Sequence, residues 1–188
     1  MIFNEQRPIT LQELDIPTPD LFPDKLFKNA DINFVYEQSN QYVKYVLDSI
    51  KTENRHRRIL VDVKVHNLEV GQHPCIPGWH CDTTLEFDER GKPENHFLIA
   101  VGDNRTEFLA NPFEWDDYSR NQRHIASNIP DNVDVITIPN STICKFGRYD
   151  FHRGPRATVA GPRILIRVSE TDIVTPRNKS FECNTYYK

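Results

Sequence analysis

Between residues 59 and 170 the apolar side chains come in short runs with a period of two, and this pattern constrains the fold more than any other feature of the chain. In the run 59–66, Val61, Val63 and Val65 alternate with Asp62, Lys64 and His66, and comparable β-forming runs occupy 96–101, 106–110, 133–138, 141–146 and 163–170. Successive residues of a strand point to opposite faces, so such runs read as half-buried strands. Turn-forming residues separate them: Gly71 and Gly78 bound one turn, and Pro139 with Asn140 make another. Asp103 and Asn104 predict a tight hairpin between the runs 96–101 and 106–110. With the segment around His80 the body has at least seven strands. Thirteen prolines against one methionine point the same way, away from a helical bundle. The expected fold is mainly β: a double-stranded β-helix, the jelly-roll or cupin-like barrel that holds a ligand inside.

The 188 residues read as a single domain, 1–188. Residues 1–30, interrupted by Pro8, Pro17, Pro19 and Pro23, are expected to form an extended arm, with a short helical turn at 21–27. Phe34, Val35, Gln38, Tyr42, Tyr45, Val46 and Ile50 recur at helical spacing and predict one covering α-helix over 33–52, capped by Asp31 or Asn33. The barrel core then spans 59–170. Residues 111–132, polar and without a period, are expected to form a lid or rim over its pocket. Residues 171–188 read as a surface tail.

Chemistry concentrates at His80-Cys81-Asp82, at the start of an expected strand. Residues i and i+2 of a strand share a face, so His80 and Asp82 can reach one metal ion with Cys81 turned away. His152, just before a glycine and proline turn, is the candidate third ligand. Two histidines and one carboxylate that leave coordination positions open make the facial triad of non-haem iron(II) oxygenases. In the run that follows, Arg163, Leu165 and Arg167 fall on one face and Ile164, Ile166 and Val168 on the other. A guanidinium turned into a barrel is costly unless an anion meets it, and its planar fork suits a carboxylate. A dicarboxylate cosubstrate would meet that need.

His80-x-Asp82, then His152, then Arg163 eleven residues later resembles the motif of the Fe(II)/2-oxoglutarate-dependent dioxygenases. Arg167, fifteen residues after His152, and Thr106, twenty-four after Asp82, resemble the taurine-dioxygenase-like branch. The resemblance covers residues 60–170. It implies Fe2+ held by His80, Asp82 and His152, and 2-oxoglutarate held with the help of Arg163, Thr106 and Arg167. It also implies oxidation of a substrate coupled to decarboxylation of 2-oxoglutarate to succinate and CO2. The separation of Asp82 from His152 is short for that branch and leaves no room for large substrate-covering insertions. Trp79, Trp115, Arg148 and Tyr149 are candidate substrate-wall residues, since aromatic rings and one cation suit an aromatic, nucleotide or amino-acid ligand.

Duller readings stand beside these. Arg167 could pair with Glu170 or Glu107, and Asp82 could cap a turn. His56, His66, His73, His96 and His124 read as ordinary polar residues. His73, Cys75, His80 and Cys81 crowd together as a zinc knot might, but a second ligand cluster is missing. The competing functions are a jelly-roll metal- or ligand-binding module without oxygenase activity, and a cupin-type isomerase.

The net charge of −4 recruits neither nucleic acid nor an anionic membrane, and the basic run 51–58 reads as a solvated connector. No apolar run approaches the roughly 20 residues that cross a bilayer. The N-terminus lacks the pattern of a signal peptide. Four cysteines fit a reducing compartment, and the expected location is cytoplasmic. The expected partner is a small-molecule or modified-residue substrate.

Overall fold

The structure is a computed structural model of the chain; it describes residues 2–5, 7–15, 22–53, 58–82, 94–115, 122–130, 132–172 and 174–182. The N-terminal part gives β1 (Ile2–Phe3), β2 (Ile9–Glu13), β3 (Lys25–Asp31), α1 (Ile32–Gln38) and α2 (Gln41–Ser49). The body follows as β4 (Ile59–Leu68), β5 (Asn95–Val101), β6 (Glu107–Leu109), β7 (Phe113–Glu114), α3 (Gln122–Ser127), β8 (Val135–Thr137), β9 (Thr142–Gly147), β10 (His152–Arg153), β11 (Gly161–Glu170) and β12 (Ser180–Glu182).

The protein is mainly β, and its sheets are antiparallel. A seven-stranded sheet has the order β12-β3-β4-β11-β5-β9-β2, a three-stranded sheet the order β10-β6-β8, and β1 pairs with β7. A bridge from His80 to His152 extends the smaller sheet beyond β10. The period-two patterns explain why the strands stack as they do. Val61, Val63, Val65, Phe97, Ile99, Ile164, Ile166 and Val168 form the outer face of the large sheet, under Val35, Val43, Val46 and Leu47 of α1 and α2. From the opposite face, Leu98, Ala100, Cys144 and Phe146 meet Phe108 and Ile136 of the small sheet. The far side of the small sheet is closed by Phe3, Trp79, Cys81, Leu109, Ile125 and Phe151. These layers make a β-sandwich, and the cleft between them is where β4, β5 and β11 present their polar side chains.

Several expectations are corrected. The helix expected over 33–52 is two helices, because Ser39 and Asn40 interrupt it: Asn40 accepts a hydrogen bond from Val43 N at 3.2 Å and donates one to Phe22 O at 2.8 Å. Short polar side chains that bond to nearby backbone compete with the helix, so Asn40 serves as a cap. Asp31 caps α1 by accepting from Asn33 N at 2.9 Å. The helical turn expected at 21–27 is not formed by residues 22–27, which lead into β3, held between β4 and β12. The 103–104 turn does not make a hairpin, since β5 and β6 lie in different sheets. Gly102 makes the crossing, with φ +119 and a position where a Cβ would lie 2.4 Å from Pro162 O. The expected surface tail supplies an edge strand, β12.

The expected lid is corrected too: β7 and α3 lie against the outer side of the small sheet. The run 83–87, expected to continue the His80 strand, lies outside the described residues, as do 54–57, Tyr118 and 183–188. Among the described residues, no helix is long and apolar enough to cross a membrane.

Candidate metal centre

His80 and His152 are set side by side by a reciprocal backbone bridge, His80 N to His152 O at 3.0 Å and His152 N to His80 O at 2.9 Å. Their rings stand 4.6 Å apart, centroid to centroid, at 60°. β10 is anchored from its other edge by β6, with His152 opposite Phe108. Gly154 lets the 74–75 loop close over this spot: a Cβ there would lie 2.4 Å from Pro74 Cγ and 3.1 Å from Cys75 Sγ. Asp82 brings Oδ2 to 3.5 Å from His152 Nε2. All three expected ligands therefore line one cavity of about 40 Å³, with Lys64, Thr106, Arg163 and Arg167.

The imidazoles are prepared alike. His80 Nδ1 donates to Gly78 O at 3.2 Å, and His152 Nδ1 donates to Asp150 O at 3.0 Å. A carbonyl can only accept, so each Nδ1 carries a proton and Nε2 is the ring nitrogen left to meet a metal. Backbone-anchored histidines of this kind are the usual first ligands of protein metal sites. Burial pushes the His152 imidazole down to about 4, against the pull of Asp82, so the ring is neutral near pH 7. Burial also pushes the Asp82 carboxyl up, but the Arg167 guanidinium outweighs it, with His152 and His96 adding; the carboxyl stays well below the usual range and is ionised. Two imidazoles and a carboxylate are the donors a divalent transition metal takes. The donor set fits iron(II). Among the described residues, however, no group of three or more His, Cys, Asp or Glu side chains stands as a ready-made metal cluster. Asp82 is instead ion-paired through Oδ1 to Arg167 Nη1.

The two arginines differ. Arg163 is among the largest fully buried side chains; its Nε donates to Asn104 O at 2.7 Å and its Nη2 to Thr106 Oγ1 at 3.0 Å. Thr106 and Arg163 are thus brought together. Arg167 instead spans two carboxylates, Asp82 through Nη1 and Asp62 through Nη2. The cross-strand register places Asp62 directly opposite Arg167. The partners Glu170 and Glu107 considered for Arg167 are corrected: Glu107 pairs with Arg153 at 2.8 Å, and Glu170 accepts from Asn95 Nδ2 at 2.8 Å.

The expected substrate-wall residues are not brought to this cavity. Trp79 and Cys81 point to the opposite side of the small sheet from His80, as strand parity requires, and Trp79 lies under the Arg153 guanidinium at 4.4 Å. Trp115 packs in that same outer cluster, edge-on to His124. Arg148 is buried 3.6 Å from Glu94 and lies over Tyr149, whose ring meets Phe3. The zinc-knot reading fails on the same parity: Cys81 faces away from His80, and His73 Nδ1 lies 3.2 Å from Gly154 O. The wall positions belong instead to Pro74, Cys75, Leu98, Arg153 and Leu165.

Three residues that matter here carried no signal in the sequence. Asn4, buried with φ 56, accepts from Phe151 N at 3.1 Å and donates to Phe151 O at 3.4 Å, which pins the N-terminal arm to the residue before His152. Asp62 and His96 face the cleft. His96 is fully buried, with Nδ1 2.8 Å from Ser169 Oγ. A larger cavity, about 450 Å³, lies between β7, α3 and residues 132–134. Among the described residues its lining holds no histidine or cysteine, and the candidate metal ligands all line the smaller cavity. Comparison of the chain with protein-family models, with curated proteins and with solved structures gives no match.

Proposed function

We propose that this chain is an Fe(II)- and 2-oxoglutarate-dependent oxygenase, acting on a small molecule or a modified residue inside a jelly-roll barrel. The observation that carries the reading is the pair of imidazoles at 4.6 Å, each with Nδ1 committed to a carbonyl, beside the Asp82 carboxylate. The strand order supports the jelly-roll. From β4 the chain passes to the His80 bridge, β5, β6, β8, β9, β10 and β11, changing sheet at every step except β6 to β8. Alternation of this kind is what the winding of a double-sheet jelly-roll would give.

His80, Asp82 and His152 would hold the iron, and Arg163 would meet the far carboxylate of the acid. Arg163 suits that role because Asn104 and Thr106 fix its fork within the interior, so little side-chain entropy is lost on binding. Iron(II) with bound 2-oxoglutarate supplies dioxygen activation coupled to decarboxylation. Leu98 and Leu165 supply apolar side chains to a lining that is otherwise largely charged or polar. The cavity of about 40 Å³ admits an ion and its water, by the 10–15 Å³ that one enclosed water needs; the five-carbon diacid enters only when Arg167 or its neighbours swing aside.

Aerobic incubation with iron(II), ascorbate and 2-oxoglutarate should release succinate slowly even without substrate. His80→Ala or Asp82→Ala should abolish it. Turnover that persists in both variants, or no succinate from the unaltered chain, overturns the assignment.

A further inference from the structure

Arg167 touches a candidate metal ligand directly, and it touches a second carboxylate at the same time. Its Nη1 engages Asp82 and its Nη2 engages Asp62. Asp62 is itself buried, and its other oxygen accepts from Asn29 N at 2.9 Å, so it cannot follow the guanidinium if that moves. The Asp82 and Arg167 side chains form a shared wall between the metal cavity and a second cavity of about 100 Å³, lined further by Asn29, Leu60, Ser169, Thr171 and Val174.

The charges give this arrangement a direction. Asp62, Asp82 and Arg167 together carry one net negative charge, which a divalent cation at Asp82 can meet. With an amide in place of the Asp62 carboxylate, Asp82 and Arg167 cancel, and an incoming cation would find a carboxylate already paired and a guanidinium repelling it. In a buried site that difference is large, because a partly desolvated pair is weakly screened.

We propose that Asp62 is a positioning residue of the metal centre: it shares Arg167 with Asp82, so that Asp82 can release one guanidinium arm and take a divalent cation while Arg167 stays anchored. This rests on His80, Asp82 and His152 being the metal ligands. The arm released from Asp82 then faces the cavity beside the ion, where an acid cosubstrate would lie. Arg167 therefore competes with the metal when the site is empty of it and serves the acid afterwards, and Asp62 sets the balance.

The test uses cobalt(II) as the probe, titrated anaerobically into the full chain by calorimetry and visible absorption, with no turnover required. Asp62→Asn, which keeps an acceptor for Asn29 N, should weaken cobalt(II) binding about tenfold. Arg167→Met should tighten it severalfold, since the competitor is gone. In the Arg167→Met background, Asp62→Asn should cost much less than it does in the unaltered chain. Equal affinity in Asp62→Asn and the unaltered chain, or the same loss from Asp62→Asn with and without Arg167, overturns the proposal. If Asp62→Asn does not fold, Arg167→Met decides alone: tighter binding supports the proposal, and equal or weaker binding ends it. An unaltered chain that takes up no cobalt(II) removes the metal centre itself, which is a different failure.

Discussion

Thr106→Val is the most informative single change, because it removes one hydrogen bond and almost no volume. Thr106 and Arg163 are each 2% exposed, and the Thr106 hydroxyl accepts from Arg163 Nη2 at 3.0 Å. A methyl in its place faces a buried guanidinium N–H and cannot accept from it. A hydrogen bond to a charged group is worth about 1.5–3 kcal/mol, and a buried donor left unmet costs in the same range. The expected loss is therefore about 2 kcal/mol. At about 2–4 °C per kcal/mol for a chain of this size, Tm falls by roughly 4–8 °C. Urea melts with an unchanged slope would show that the loss is in stability and not in compactness. The Asn104 bond to Arg163 Nε remains, so the guanidinium stays in place but swings more freely. On the oxygenase reading, 2-oxoglutarate should then bind about tenfold more weakly, the equivalent of about 1.4 kcal/mol. Thr106→Ser, which restores the acceptor, should recover most of both effects. A valine variant as stable as the unaltered chain would refute the reasoning, since the buried arginine would then not depend on this partner.

Two further predictions rest on single contacts. Asn4→Ala removes both hydrogen bonds to Phe151 and leaves its buried N–H unmet; the expected cost is about 1–3 kcal/mol, and faster hydrogen exchange at the Phe151 and His152 amides should accompany it, whereas unchanged exchange would mean the arm does not hold β10. His66 makes the fold acid-sensitive: burial pushes its pKa down to about 4, with Arg163 and Lys64 adding. The unfolded imidazole titrates near 6.5, so above about pH 6.5 both states are neutral and stability is full; between about 6.5 and 4 the unfolded chain takes the proton first and stability falls by up to about 1.4 kcal/mol per pH unit. Urea midpoints at neutral and acid pH should show a shallower fall for His66→Gln, and parallel falls would count against this origin.

What could be read from the chain follows from how local each signal is. The β11 strand was legible because its alternation encodes which side chains face in: Ile164, Ile166 and Val168 do enter the outer core, and Arg163 and Arg167 do face the cleft. The same parity placed His80 and Asp82 in one cavity and Cys81 on the other side. Partnership across strands was not legible. Asp62 stands opposite Arg167 only because β4 and β11 pair in one particular register, and no local pattern states that register. The turn at Asp103 and Asn104 signals that the chain reverses, not which sheet it enters next, so a crossing between sheets looked like a hairpin. The break between α1 and α2 was hidden because Tyr42, Val43 and Val46 resume burial in nearly the phase the first helix left, and only the Asn40 cap marks the gap. Asn4 becomes significant only when the arm has folded back across 147 positions to Phe151.

Anaerobic titration of iron(II) and 2-oxoglutarate into the full chain is the most direct measurement of whether His80, Asp82 and His152 form one centre. The account predicts that one iron(II) binds per chain, that 2-oxoglutarate binds only once the metal is present and brings up a weak visible absorption band, and that His80→Ala and Asp82→Ala each remove both events. Metal uptake that survives in these variants, or 2-oxoglutarate binding that ignores the metal, would contradict it.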